Sequence, residues 1–211
     1  MIININKPAG WTSFDVVKKV RGIIKEKKVG HAGTLDPFAE GVLVLGTGPD
    51  TKKLTDITTA NKTYRAELTL GKATDTQDLD GKISAEEVVP ELTKETIAAV
   101  LASFDGPQEQ IPPMCSAKHV NGQRLYKLAR KNKTVERVPV KISIDQISLL
   151  DYTEPVITFN VTCSKGTYVR VLGADIAAKL GTVGHLTALT RTSVGSYNIA
   201  DATTIEELSN S

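Results

Sequence analysis

Cysteine, histidine and long apolar runs are the scarce ingredients of this 211-residue chain. The two cysteines, Cys115 and Cys163, lie far apart and form neither a disulfide framework nor a Cys-x-x-Cys pair. The three histidines, His31, His119 and His185, share no metal-ligand spacing, so no metal is expected. The longest apolar runs, such as Val42-Leu-Val-Leu45, are far too short to span a bilayer. The segment Met1–Lys7 has no basic stretch followed by a long apolar one, which argues against a secretory leader and for the cytoplasm. Internal repeats, low-complexity tracts and obvious linkers are missing as well. The remainder is the composition of an ordinary globular protein, 40% hydrophobic and 24% charged, long enough for one sizeable core or two small ones.

Net charge is also nearly absent, at +2, but its distribution is uneven. Residues 1–65 carry eleven basic against six acidic side chains, and residues 66–110 carry three against ten. Residues 111–141 then carry eight against one, and residues 142–211 four against seven. Two basic blocks in a near-neutral chain suit a face that meets a polyanion; the alternative is a solvated surface.

The patterning predicts an α/β chain. Residues 2–5 read as a strand broken by Pro8-Ala9-Gly10. Thr12 or Ser13 caps a helix running to about Lys27, with Phe14, Val17, Val20 and Ile24 as its apolar stripe. Further strands are expected at 42–45, 63–70, 140–150 and 156–163, and helices from Thr93 and over 171–180, the latter stopped by Gly181. Gly106-Pro107 and Ile111-Pro112-Pro113 are expected to interrupt regular structure, within a basic excursion near 105–140 that holds a short helix over 124–131.

Few segments offer chemistry. Asp36 precedes Pro37, which biases it towards an extended backbone, and Gly30, Gly33 and Gly41 around it permit sharp turns. An Asp-Pro pair more commonly opens a turn than presents a nucleophile. The segment lacks the GxxxxGK[ST] and GxGxxG patterns of nucleotide-binding loops. In Thr76-Gln-Asp78-Leu-Asp80-Gly81, with Glu87, acids fall at three positions of a calcium loop, but Thr76 stands where the first ligand belongs. A polar inter-strand loop is the stronger reading. Arg170 can hold a carboxylate ionised by bidentate pairing, or simply start a regular element. Tyr64 and Tyr168 offer faces for base stacking and are equally suited to a core.

These segments together resemble the TruB-type tRNA pseudouridine synthases. The motifs run in order through Ile5-Asn-Lys7-Pro8-Ala-Gly10-Trp-Thr-Ser13, Gly30-His31-Ala-Gly33-Thr34-Leu35-Asp36-Pro37, Lys62-Thr-Tyr64, Asp75–Gly81, Gln110–Lys118 and Cys163–Arg170. Each is weak alone; the ordered set, from Lys7 to about Tyr197, is specific. The resemblance implies a pseudouridine synthase fold, with a mixed, mostly antiparallel central sheet flanked by helices and a catalytic cleft across it. It implies conversion of uridine 55 in the tRNA T-loop to pseudouridine, without cofactor or guide RNA.

The same resemblance makes Asp36 the catalytic aspartate, Arg170 its ion-pair partner and Tyr64 the tyrosine packed on the target base. His31 matches the histidine that fills the space left by the extruded nucleotide. Tyr168 and Leu189 match the uridine pocket, Asp78 a polar residue beside it, and Lys7 and Lys52 basic residues near the cleft or RNA. Arg124, Lys127, Arg130 and Lys131 are expected on the RNA backbone, and Thr190-Arg191 stands where a pair of phosphate-contacting arginines is common. With the chain ending at Ser211, the expectation is one catalytic domain over 1–211 without the C-terminal PUA domain of many bacterial relatives, acting as a monomer on the T-arm. The rival reading is a non-catalytic RNA-binding or tRNA-chaperone protein on the same scaffold.

Overall fold

A computed structural model describes residues 1–116, 118–120, 122–125, 128, 133 and 135–210, with His119, Val120, Gln123 and Arg124 described by their backbone alone. In chain order, the first part contains β1 (Ile2–Lys7), α1 (Ser13–Ile24), β2 (Val29–His31), β3 (Glu40–Thr47), α2 (Leu54–Thr59) and β4 (Lys62–Leu70). Then come β5 (Lys72–Thr74), β6 (Ile83–Glu86), α3 (Lys94–Ala102), β7 (Gly106–Gln110), β8 (His119–Val120), β9 (Gln123–Arg124) and β10 (Val140–Thr153). The last part holds β11 (Val156–Cys163), α4 (Val169–Lys179), β12 (Gly184–Val194), β13 (Tyr197–Asn198) and α5 (Ile205–Asn210). No described helix is long and apolar enough to cross a membrane. Two compact units result, Met1–Arg65 with Leu189–Ser211, and Ala66–Ala188. Strands β4 and β12 contribute residues to both.

The first unit is built on β3. Antiparallel β1 pairs with it from Ile2↔Gly46 to Lys7↔Gly41, β2 joins at Val29–His31, and β12 pairs in parallel at Thr190↔Glu40 and Arg191↔Gly41. Both faces of β3 are covered, which is why Val42–Leu45 is a continuous apolar run rather than an alternation. Leu43 and Leu45 pack with Ile3, Ile5, Val16, Val17 and Val20, while Val42 and Val44 pack with Ala32, Leu54 and Val194. Helix α1 begins at a capping box, in which Thr12 accepts from the Asp15 amide and Asp15 accepts from the Thr12 amide. It ends three residues sooner than the pattern predicts, at Ile24, because Lys25 adopts a left-handed conformation (φ 53°). Its buried stripe is Ser13, Val16, Val17 and Val20; Phe14, expected inside, is 65% exposed. The i, i+3, i+4, i+7 row through Ser13 faces β1 and β3, and Phe14 lies one residue, about 100°, off it.

The second unit has strand order β4-β11-β10-β7, with β10 antiparallel to both β11 and β7. Its core is formed by Ala66, Leu68, Leu70, Ile97, Leu101, Ile142, Ile144, Ile157, Phe159, Val161, Leu172, Ile176 and Leu186, all buried. Thr93 caps α3 as predicted, and Gly181 (φ +84°) follows α4. Gly106-Pro107, expected to break structure, instead lies in edge strand β7, where Pro107 sits opposite Ser143. An edge position leaves one side of the strand without a ladder to satisfy, so the missing N–H is tolerated.

Candidate active site

The first unit places Lys7, His31, Asp36, Lys52, Tyr64 and Leu189; the second places Asp78, Tyr168 and Arg170. Asp36 is half-buried in the connection between β2 and β3. That connection lacks regular structure, yet its main chain is bonded residue by residue. The Gly33 and Thr34 carbonyls each accept from Arg191, at 3.3 Å. The Ser13 hydroxyl accepts from the Leu35 amide (2.9 Å) and donates to the Leu35 carbonyl (3.1 Å). The Asp36 carbonyl accepts from the Ala39 amide at 3.2 Å, and the Pro37 carbonyl from the Gly10 amide at 2.8 Å.

Lys7 completes this frame. Alternation along β1 points Ile3, Ile5 and Lys7 to the same buried side, and Lys7 is 0% exposed. Its ammonium donates to the carbonyls of Trp11 (2.6 Å), Pro8 (2.9 Å) and Pro37 (3.3 Å). Burial lowers its pKa to about 8, while the nearby Asp36 carboxylate acts to raise it. A second buried lysine, Lys62, donates to the Thr58 and Ala60 carbonyls at the end of α2. Tyr64 and Leu189 are buried, at 8% and 5% exposure, and Lys52 is exposed on the turn after β3. His31 ends β2; burial lowers its pKa, partly offset by the Gly33 backbone and reinforced by Arg191, which favours the neutral imidazole. Its Nδ1 is buried without a hydrogen-bond partner among the described residues.

In the second unit two of the three predicted residues, Arg170 and Asp78, meet. Arg170, in the first turn of α4 and 3% exposed, donates to the carbonyls of Thr76 (2.6 Å) and Cys115 (2.9 Å). Its guanidinium lies 3.4 Å from the Asp78 carboxylate, itself buried. Asp78 also accepts from the Thr76 hydroxyl and the Asp80 amide, while Asp75 accepts from the Lys82 amide. These carboxylates therefore brace their own loop, the role of a polar inter-strand connection. Tyr168, half-buried just ahead of α4, is held by Gln110, whose amide accepts from its N–H (2.8 Å) and donates to its carbonyl (3.1 Å). Lys127, Arg130 and Lys131 lie outside the described residues, as does the Arg124 side chain.

Three contributors have roles that the sequence does not reveal. Ser13 is legible there as a helix cap and the end of the first motif, and Gln110 only as the start of a later one. Arg191, where a phosphate contact was expected, is 1% exposed and donates to Val42 (2.7 Å) as well as to Gly33 and Thr34. Its spacing of two from Leu189 places it on the inward side of β12, which was the available clue.

The chain is similar to known proteins over most of its length. Residues 21–169 match the N-terminal domain of the TruB family of pseudouridylate synthases, and residues 170–211 match the tRNA pseudouridylate synthase B C-terminal domain. The chain is 48% identical over 207 residues to tRNA pseudouridine synthase B of Clostridium kluyveri, covering 98% of this chain and 71% of that protein. It is 45% identical to the enzyme of that name from Lactococcus lactis, covering 98% and 65%. Among solved structures it resembles a chain of a Cbf5-Nop10-Gar1 complex, with TM-score 0.79, 27% identity, and coverage of 99% of this chain and 53% of that one. A chain of the archaeal box H/ACA sRNP Nop10-Cbf5 complex gives TM-score 0.73 at 25% identity, covering 99% and 52%. The chain thus spans roughly two thirds or more of the curated relatives' length and about half of these solved chains. This chain belongs to the TruB family of pseudouridylate synthases.

Proposed function

We propose that the protein converts uridine 55 in the T-loop of tRNA to pseudouridine, with Asp36 as the catalytic group. The observation that carries this reading is the 33–37 connection, which holds a half-buried carboxylate beside the Lys7 ammonium on a main chain hydrogen-bonded at each of its residues, in a chain whose residues 21–211 match the TruB family. The reaction breaks the N1–C1′ bond, turns the uracil and joins C5 to C1′. The proton lost from C5 is balanced by one gained at N1, so neither a redox partner nor a group donor is needed. Asp36 acts either by bonding to C1′ or by removing a sugar proton. A primary isotope effect on deuteration at C2′ reports the second route.

The base must leave its stack first, at a cost of a few kcal/mol. A neutral His31 suits the space vacated by the nucleotide, since no charge has to be desolvated among bases. Tyr64, Tyr168 and Leu189 are assigned to handling the flipped base, Arg170 to holding a carboxylate ionised, and Asp78 to a further polar role. The basic stretches supply phosphate contacts, with the T-arm as the recognised element.

Tritium release from 5-tritiated uridine in a folded T-arm stem-loop tests the reading. Wild-type protein should release tritium, and Asp36→Asn should abolish release while RNA binding is retained. Release by Asp36→Asn at the wild-type rate would remove the carboxylate from the mechanism. No release by wild type would favour an RNA-binding or chaperone protein on this scaffold.

A further inference from the structure

We infer that Ser13 and Arg191 are positioning residues for Asp36, holding its main chain so that the carboxylate meets the sugar in one geometry; this rests on the reading of Asp36 as the catalytic group. Connections between strands normally leave their polar backbone to water and gain mobility from it. Here the partners come from inside the protein. Ser13 is 3% exposed, Arg191 1%, and between them they hold the residues at 33, 34 and 35. Lys7 and Gly10 hold the carbonyl at 37. Asp36 is therefore flanked by fixed peptides on both sides.

Each clamp originates in a different element. Ser13 is the first residue of α1, so its hydroxyl is anchored by a capped helix packed on the apolar core. Arg191 is anchored where β12 runs parallel to β3, opposite Gly41. Gly41 has φ +102°, and a Cβ there would collide with the Arg191 main chain. A guanidinium is costly to bury, and this one makes three bonds to carbonyl oxygens, two of them in the connection that carries Asp36. It has no exposed surface left for phosphate. The three bonds use its planar fork, which an ammonium reproduces only in part.

A purely structural role would change stability; a positioning role also changes the chemical step. The test measures kcat, KM and T-arm affinity for Ser13→Ala, Arg191→Gln and Arg191→Lys, beside Asp36→Asn, with unfolding midpoints for each. We expect kcat to fall about 10- to 100-fold in Ser13→Ala and Arg191→Gln, the scale of an ångström-size misplacement. KM and RNA affinity should stay within about two-fold of wild type, because ground-state binding is untouched. Arg191→Lys should recover part of the lost kcat. Should Arg191→Gln fail to fold, Ser13→Ala, which removes one hydroxyl and no charge, decides. Wild-type kcat in folded Ser13→Ala, or a loss confined to KM and affinity, overturns the inference. An active Asp36→Asn instead overturns the reading of Asp36, whatever the other variants do.

Discussion

Lys7 is an ammonium with no exposed surface, and its energetics have two opposite consequences. Because burial lowers its pKa from 10.5 to about 8, the unfolded chain binds more protons than the folded one between those values. Stability conferred through Lys7 therefore rises with pH across that window, and its full penalty applies below pH 8. Turnover should move the other way. Above about pH 8 the neutral amine loses a donor on the Trp11, Pro8 and Pro37 carbonyls and a positive charge beside Asp36. Urea midpoints and kcat compared at pH 7.5, 9 and 10 (about the span of this titration) should both show the effect, and Lys7→Met should flatten both. An alkaline profile unchanged in Lys7→Met would assign it to another group. At the same scale, the buried Arg170–Asp78 pair should be intolerant of losing one partner: Asp78→Ala should cost about 3–5 kcal/mol in denaturant unfolding. A loss under about 1 kcal/mol would mean that Arg170 is satisfied without Asp78.

Among the elements, the junction of β3 with β12 carries the most consequence for the candidate site. Parallel pairing at Arg191↔Gly41 brings two backbones so close that a Cβ at residue 41 would meet the Arg191 carbonyl, and the positive φ there already disfavours any other residue. Gly41→Ala should lose about 3 kcal/mol of stability, combining overpacking with a left-handed backbone. It should also lower turnover, because Arg191 is displaced together with its bonds to residues 33 and 34. Equilibrium denaturation with a parallel tritium-release assay checks both. A stable Gly41→Ala protein with wild-type turnover would show that the junction tolerates separation.

For the whole molecule, charge distribution is the lever. The two basic blocks, residues 1–65 and 111–141, are the candidate phosphate-contacting surfaces. Replacing Arg124, Lys127, Arg130 and Lys131 with alanine should weaken T-arm binding and flatten its dependence on salt. The expected change in slope is about 0.7–0.9 per phosphate contact removed. An unchanged slope would place these four side chains away from the RNA.

What is legible in the sequence follows from the range of the interactions involved. The Thr12 cap, the strands around Leu43, Leu68 and Phe159, and the stop at Gly181 are written in residues close together in the chain, and they appear where the pattern places them. The ordered motifs from Lys7 to Arg170 likewise carried the family. β12 escaped because its inward residues, Leu186, Leu189, Arg191 and Val194, do not keep a strict period of two. The edge strand at Gly106–Gln110 escaped because a proline is judged by its neighbours in space. Sequence alone determined which side chains can do chemistry, since residue type and local order require no partner. Tertiary structure decided that Lys7 and Arg191 are turned inward onto backbone carbonyls, because a buried carbonyl's need for a donor is set by segments distant along the chain.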